Sequence, residues 1–480
     1  MSAPATTAPV GSPADAALDR RSWLALLVLC GALFLDALDV SMVGVALPSI
    51  QNDLAMSTSS LQWVVSAYVL GYGGFLLLGG RAADLLGRRR LFLISLGVFL
   101  VASALGGLAD DGTFLIVTRF VKGVAAAFTA PAGLSIITTN FAEGPARNKA
   151  LSIYTATGAI GFSLGLVVGG LMTEVGWRWV FFLPVPVALV LLLAGLKLVP
   201  ADRPGSRARG SFDIAGAVAV TSAMLLLVYT VVTAPEVGWG SARTIGSLLG
   251  VVALMTAFVT IERRTAAPLV RLGILRSAPL VRANLGAMAL FGAWVGFQFV
   301  ATLYLQQLRG WSPLETGLAI FPGGLVVALL APRMGYLVAR YGTTRLIALG
   351  FVSSAVGYAL FLPVDVGSSY LTAMLPTMLL AGLGFALAFG PLNIAATTGI
   401  RPQEQGLAGG LLNTSFQFGG ALVLAVVTAV INSGGGIDSP VDLVDALQPA
   451  VLVAMGVALV GIAATVLDLR RDAVPAVEAA

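Results

Sequence analysis

Apolar runs of about twenty residues, the length a helix needs to cross ~30 Å of hydrocarbon, recur fourteen times between residues 23 and 467. A soluble core could not bury them. The 480-residue chain has 58% hydrophobic and 11% charged side chains and a mean hydropathy of +0.93. In hydrocarbon each backbone polar group must find its partner within the spanning element, and runs of this length do so as helices. The chain therefore reads as an all-α integral membrane protein. Its 57 glycines and 23 prolines suit helices that pack closely against one another.

Charge sets the expected orientation. Of the 28 Lys and Arg, two fall inside the fourth run and three, Arg178, Arg243 and Arg309, fall on alternate loops; the other 23 lie on the opposite side. Positive charge gathers on the cytosolic face, so both termini are expected in the cytosol of a plasma-membrane protein. Residues 1–22, rich in Ala, Pro, Ser and Thr with no apolar core before the paired arginines, read as a disordered cytosolic tail and not a signal peptide. Residues 469–480 read as a second tail. The loop bias explains the basic balance without nucleic acid. With no histidine and Cys30 the one cysteine, imidazole relays, disulfides and most transition-metal sites are excluded. No nucleophile–base set or phosphate-binding loop points to an enzyme, and neither a metal nor a cofactor is expected.

Four charges lie deep in the apolar runs: Asp36 and Asp39 in the first, Arg119 and Lys122 in the fourth. A charge in hydrocarbon is costly, so such residues face a cavity and pair with one another. At 1.5 Å per residue, Asp39 and Asp36 lie ~12 and ~16 Å from the outer end of their helix, and Arg119 and Lys122 roughly 9 and 13 Å from theirs. A spacing of three puts each pair on one face. The simplest assignment is Asp39 with Arg119 and Asp36 with Lys122.

Between the second and third runs stands "GGRAADLLGRRRLF". Gly80, Asp84, Gly87, Arg88, Arg89 and Arg90 are similar to motif A of the major facilitator superfamily. A second copy, "GYLVARYGTTRL", sets Gly335, Gly342, Arg345 and Leu346 against Gly80, Gly87, Arg90 and Leu91, with Ala339 at the aspartate. "LDVSMVGVALPSIQNDL" resembles the first-helix signature of the fourteen-helix drug:proton antiporter branch, whose acidic position falls on Asp39. "RFVKGVAAAFTAPAGLSII" resembles motif B, with Arg119 at its arginine and Gly123 at its glycine. Three departures stand out. "GFSLGLVVGG" keeps Gly165, Gly169 and Gly170 for close packing of helix 5 but lacks the family's proline; the motif B glutamine is Lys122; and Asp36 occupies a position usually apolar.

The resemblance implies two pseudo-symmetric six-helix bundles, residues 23–200 and 266–468, joined by residues 201–265 with two extra helices, fourteen in all. It implies alternating access around a midplane cavity: proton-coupled efflux of amphipathic drugs or natural products by a monomer, with the proton gradient as the energy source. Asp39, Asp36, Arg119 and Lys122 would couple the proton, burial opposing the carboxylate charge and the cations favouring it. Motif A would latch the bundles on the cytosolic side through Asp84 and Arg88. Tyr68, Tyr72, Trp294, Phe297, Gln298, Asn413 and Gln417 are the expected cavity residues. The C-terminal bundle has no embedded acid, which disfavours a cargo with two cationic groups. An importer or lipid-like flippase on the same scaffold is the alternative. A non-transporting receptor would need a signalling domain for which the tail is too short.

Overall fold

Helices follow from the apolar runs, and they end where polar caps or turn glycines intervene. The computed structural model describes residues 20–141, 145–201, 213–265, 268, 270, 272–365, 367–400, 405–433 and 440–472, apart from some side chains within those helices. The first half comprises α1 (Arg20–Asp53), α2 (Thr58–Leu86), α3 (Arg88–Gly107), α4 (Gly112–Asn140), α5 (Pro145–Val175), a single turn α6 (Trp179–Phe182) and α7 (Pro184–Leu198). A pair follows, α8 (Ile214–Val237) and α9 (Ala242–Arg264). The second half comprises α10 (Ala278–Leu303), α11 (Pro313–Leu330), α12 (Met334–Tyr341), α13 (Thr343–Phe361), α14 (Leu375–Thr397), α15 (Gln405–Ser433) and α16 (Pro440–Asp472).

Each of the fourteen apolar runs falls on helix. Among the described residues, twelve helical stretches are long and apolar enough to cross a membrane. The second and fifth runs lie in α2 and α5, which contain undescribed side chains. Two boundaries differ from expectation. α1 begins at Arg20, inside the expected tail, and α16 runs on to Asp472; the rest of both tails lies outside the described residues.

The two halves repeat each other. α1 packs on α5 as α10 packs on α15, and α2 on α4 as α11 on α14. Gly87 and Gly342 close the matching turns into α3 and α13 with φ of 99° and 79°, a backbone region glycine enters without a Cβ clash. The motif A repeat is thus a repeat of structure. Between the halves run two seams, α2 with α15 and α5 with α11. In the second seam a Cβ at Gly317 would strike the carbonyl oxygen of Leu166, and one at Gly170 would fall 2.6 Å from Leu314 Cα. The α8–α9 pair docks beside the first seam, where the Thr221 hydroxyl donates to the carbonyl of Gly74 at 2.9 Å.

One end of the molecule is clasped. Asp53 accepts from the Trp177 indole at 2.9 Å and from Arg178 at 2.7 Å, and Arg178 also reaches Asp110. Across the halves, Gln306 donates to the carbonyl of Val45 at 2.8 Å, Gln307 to Gln51 at 2.8 Å and Asn432 to Ser59 at 2.6 Å.

Candidate transport site

The site begins with how closely two helices approach. α4 starts at Asp111, whose carboxylate caps the Phe114 N–H at 2.9 Å, satisfying a donor the helix itself leaves free. Along α4, a Cβ at Gly123 would strike the carbonyl oxygen of Tyr68 in α2, and a Cβ at Gly71 would lie 2.6 Å from the carbonyl oxygen of Phe120. With both backbones in contact, Arg119 reaches across: its Nε donates to the carbonyl of Val64 at 2.9 Å, and its guanidinium lies 4.4 Å above the Tyr68 ring.

Arg119 Nη1 donates to Asp39 Oδ2 at 2.5 Å, and Lys122 Nζ donates to Asp39 Oδ1. All three residues are buried, Asp39 and Lys122 completely. Lys122 is further wrapped by aromatic rings, its Nζ 4.7 Å from the Phe99 centroid and 5.4 Å from Phe181. Both oxygens of one carboxylate are therefore held by cations.

The expected pairing of Asp36 with Lys122 is corrected. Side chains lean toward the N-terminus of their own helix, so Lys122 on α4 leans toward the clasped end and Asp39 on α1 leans away from it. This lean carries Lys122 away from Asp36, and the counted depths of ~12 Å for Asp39, ~13 Å for Lys122 and ~16 Å for Asp36 already set Lys122 nearer Asp39. Assigning the four charges one to one overlooked that a single carboxylate can take both cations. Asp36 instead accepts a hydrogen bond from the Tyr68 hydroxyl. Among the described residues, no Lys or Arg is paired with it.

Beside this cluster lies a small cavity of about 40 Å³, room for a few water molecules and not for a drug-sized ligand in this conformation. Val40, Gly44 and Leu47 of α1, Val65 of α2 and Phe162 of α5 line it from one half; Phe291, Trp294, Val295, Gln298 and Phe299 of α10 and Leu424 of α15 line it from the other. Of the seven expected cavity residues, Trp294 and Gln298 are there. Phe297 is not; on the opposite face of α10, it packs 4.8 Å from Tyr358 and 5.2 Å from Phe361. Gln417 is spent on the seam, where a Cβ at Gly73 would come within 2.9 Å of it. Asn413 is exposed and bonds the carbonyl of Gly409 in its own helix at 2.9 Å. Tyr68 serves the ion cluster, while Tyr72 lies edge-on to it at 6.2 Å, on the same helical face as Val65 two turns away.

A chain of rings leads away from the cavity in the second half. Trp294 lies 5.4 Å from Phe385, Phe385 stacks on Phe389 at 5.3 Å and 14°, Phe389 lies 5.0 Å from Phe416, and Phe291 lies 6.2 Å from Phe416. Sequence reading missed Phe291, Phe385, Phe389 and Phe416. The i, i+4 spacing of Phe385 and Phe389 in "GFALAFG" was the signal available.

The helix 5 glycines work without the absent proline. A Cβ at Gly165 would fall 2.6 Å from the carbonyl oxygen of Leu38, and one at Gly169 2.6 Å from Met42 Cα. This contact fixes the stretch of α1 that carries Asp36 and Asp39. In motif A, Arg89 donates to the carbonyl of Leu196 at 2.5 Å, while the surroundings of Gly80 and the side chain of Asp84 lie outside what the structure describes.

A repeated helical fold with paired charges beside an apolar cavity is the architecture of a membrane transporter. The sequence profile of the Major Facilitator Superfamily matches residues 29–424, and the chain belongs to that family. It is 40% identical to the puromycin resistance protein pur8 of Streptomyces alboniger, over 88% of this chain and 84% of that protein. Identity to the cephamycin export protein CmcT of Amycolatopsis lactamdurans is 39%, over 87% of each. The tetracenomycin C resistance and export protein of Streptomyces glaucescens is 33% identical, over 90% of this chain and 80% of that one. Among solved structures, the nucleoside transporter NupG superposes with a TM-score of 0.64 at 15% identity, covering 94% of this chain and 99% of that one. The peptide transporter POT in complex with sulfate gives 0.65 at 17%, covering 92% and 94%. The chain is thus a multi-pass membrane transporter of the major facilitator type and not an enzyme.

Proposed function

We propose that this transporter exports amphipathic antibiotics or related natural products in exchange for protons, crossing the plasma membrane fourteen times with both termini in the cytosol. The observation that carries the reading is Asp39, fully buried and bonded by Arg119 and Lys122, beside a cavity with apolar and aromatic walls. Relatives named for resistance and export support the direction. The fourteenfold count adds α2 and α5 to the twelve stretches already long and apolar enough; the cytosolic termini rest on the loop charge bias.

In this reading the clasped end faces outward, so the structure is closed to the outside. When the clasp opens, a proton reaches the carboxylates of α1 and weakens their hold on α2 and α4, and the halves rock about the glycine-lined seams. One proton moving down ~100 mV supplies about 2.3 kcal/mol, enough to shift a two-state equilibrium well over tenfold. Motif A would latch the cytosolic side in the outward-open state. The chain would act as a monomer, with the proton gradient as its energy source and no cofactor. In energised inverted vesicles, accumulation of a resistance substrate with matching proton release supports export. Substrate movement in the opposite direction would support an importer or flippase.

A further inference from the structure

We propose that the second copy of motif A binds an anionic phospholipid, with the phosphate held by Arg333 and Arg340 and the acyl chains laid along α11 and α13. Binding at this surface does not depend on the direction of transport. The loop charge bias places it in the cytosolic leaflet.

The two copies share a turn but not its surroundings. In the first, Arg89 is half-buried and turns back onto the fold, to the carbonyl of Leu196. In the second, Ala339 stands at the aspartate, and Arg333, Arg340 and Arg345 are all exposed. Arg333 donates to the carbonyl of Leu329 at 3.0 Å. Arg340 donates to the Tyr336 hydroxyl at 3.1 Å and lies 5.4 Å from the Tyr341 ring, so neighbouring rings steady its guanidinium at the surface. Among the described residues, none of the three arginines meets a carboxylate. The sequence gives the reason: between Leu272 and Ile400 only Glu315 and Asp365 are acidic, and both lie at the opposite ends of α11 and α13. A cationic cluster with no internal counter-ion suits one from outside. The planar fork of arginine matches the oxygens of a phosphate two at a time.

The surface that leads to these cations is apolar. Arg333 continues a stripe of α11 that carries exposed Leu325 and Leu329, and Arg345 continues one of α13 that carries exposed Leu349 and Val352. Steps of three or four residues keep each set on one face. Leu329 and Leu325 lie ~6 and ~12 Å along the helix from Arg333, within the ~15 Å of hydrocarbon that one leaflet offers. α12 joins the two helices and packs against α13 and α14, so both stripes end beside it. Tyr336, 65% exposed, and Tyr341 lie on α12 itself, where rings settle between headgroup and hydrocarbon. Arginine, ring and leucine thus meet the phosphate, the interface and the acyl chains of one lipid. Arg263 and Arg264, which close α9, are also exposed, but they stand beside Glu262 and offset the carbonyl end of their own helix. They supply the comparison between a built site and general surface charge.

The test uses the full-length protein in a non-ionic detergent, titrated with phosphatidylglycerol or phosphatidylcholine of the same acyl chains, with bound lipid read by native mass spectrometry. Phosphatidylglycerol should bind about tenfold more tightly than phosphatidylcholine. Arg333→Gln with Arg340→Gln should weaken the first bound phosphatidylglycerol roughly thirtyfold, and Ala339→Asp, which returns the acid of the first copy, about fivefold. Arg263→Gln with Arg264→Gln should change it by less than about threefold, and inorganic phosphate should not displace it. Equal binding of the two lipids, an unchanged affinity in the Arg333 and Arg340 variant, or an equal loss in the α9 variant would overturn the site. Displacement by inorganic phosphate would overturn it too, by reducing it to a site for free anions.

Discussion

The two halves share a fold but not a chemistry. In the first, α1 and α4 bring four charges into the membrane, and three of them close on one another at Asp39. In the second, the corresponding space holds rings: Trp294, Phe385, Phe389 and Phe416 follow one another at 5.0–5.4 Å. Duplication supplied the scaffold, as the paired glycines Gly87 and Gly342 still record. In the proposed exchange with protons, this difference would divide the work. A half that must respond to a proton needs a group whose charge can change, and a half that must accept varied apolar cargo needs surfaces that tolerate many shapes.

The largest test of that division is Asp39→Asn. It leaves Arg119 and Lys122 facing each other without their anion, and removing one partner from a buried ion pair costs about 3–5 kcal/mol. Proton-driven flux should vanish and the melting temperature should fall. Adding Lys122→Gln should restore much of the thermal stability while flux stays absent. A double variant that transports would break the claim that this half carries the coupling.

Next in size is the choice between the two cations. Lys122→Gln removes one bond, to Asp39, whereas Arg119→Gln removes two, one to Asp39 and one to the carbonyl of Val64. Arg119→Gln should therefore be the more damaging, by about 1–3 kcal/mol in thermal unfolding. Equal losses would argue that the two cations are interchangeable.

A smaller effect is expected in the second half. Phe385→Ala removes the ring that joins Trp294 to Phe389, and an aromatic pair contributes ~0.5–1.5 kcal/mol beyond its burial. The KM for an aromatic substrate should rise up to about tenfold, with the proton-to-substrate ratio unchanged. A changed ratio would mean that the rings take part in coupling.

The smallest lies at the clasped end. The Ser368 hydroxyl donates to Asp365 at 2.8 Å and holds its carboxyl below the usual carboxylate range. A depressed group stabilises the fold above its unfolded value, near 4, and that contribution is lost as pH falls through the folded value. Ser368→Ala should lower the melting temperature slightly at pH 7 and converge with the wild type below about pH 3. Parallel curves down to that pH would remove Asp365 from the account.

Much of this was legible in the sequence, for identifiable reasons. Hydrophobic runs report helices directly, since a helix satisfies its own backbone in hydrocarbon. The motif A repeat was readable because glycine alone suits the turn at Gly87 and Gly342. Asp39 and Arg119 were readable because isolated membrane charges seek one another. What failed was everything set by side-chain direction. Pairing the four charges one to one put Lys122 with Asp36, although the counted depths lay nearer Asp39; the side chains turn both cations to the two oxygens of Asp39 and leave Asp36 to Tyr68. Phe297 and Gln298 are neighbours in sequence, yet one packs into its own bundle and the other lines the cavity. Membrane helices in contact on several sides blur the apolar stripe that would have told the two apart.

The central claim is that the charged half couples cargo to protons. It is met most directly in proteoliposomes carrying a pH-sensitive dye, by adding an exported substrate to wild type and to Asp39→Asn. The account predicts substrate-triggered proton movement in the wild type, opposite in direction to the cargo, and none in the variant. Cargo flux of equal size in both, with no proton movement in either, would contradict it.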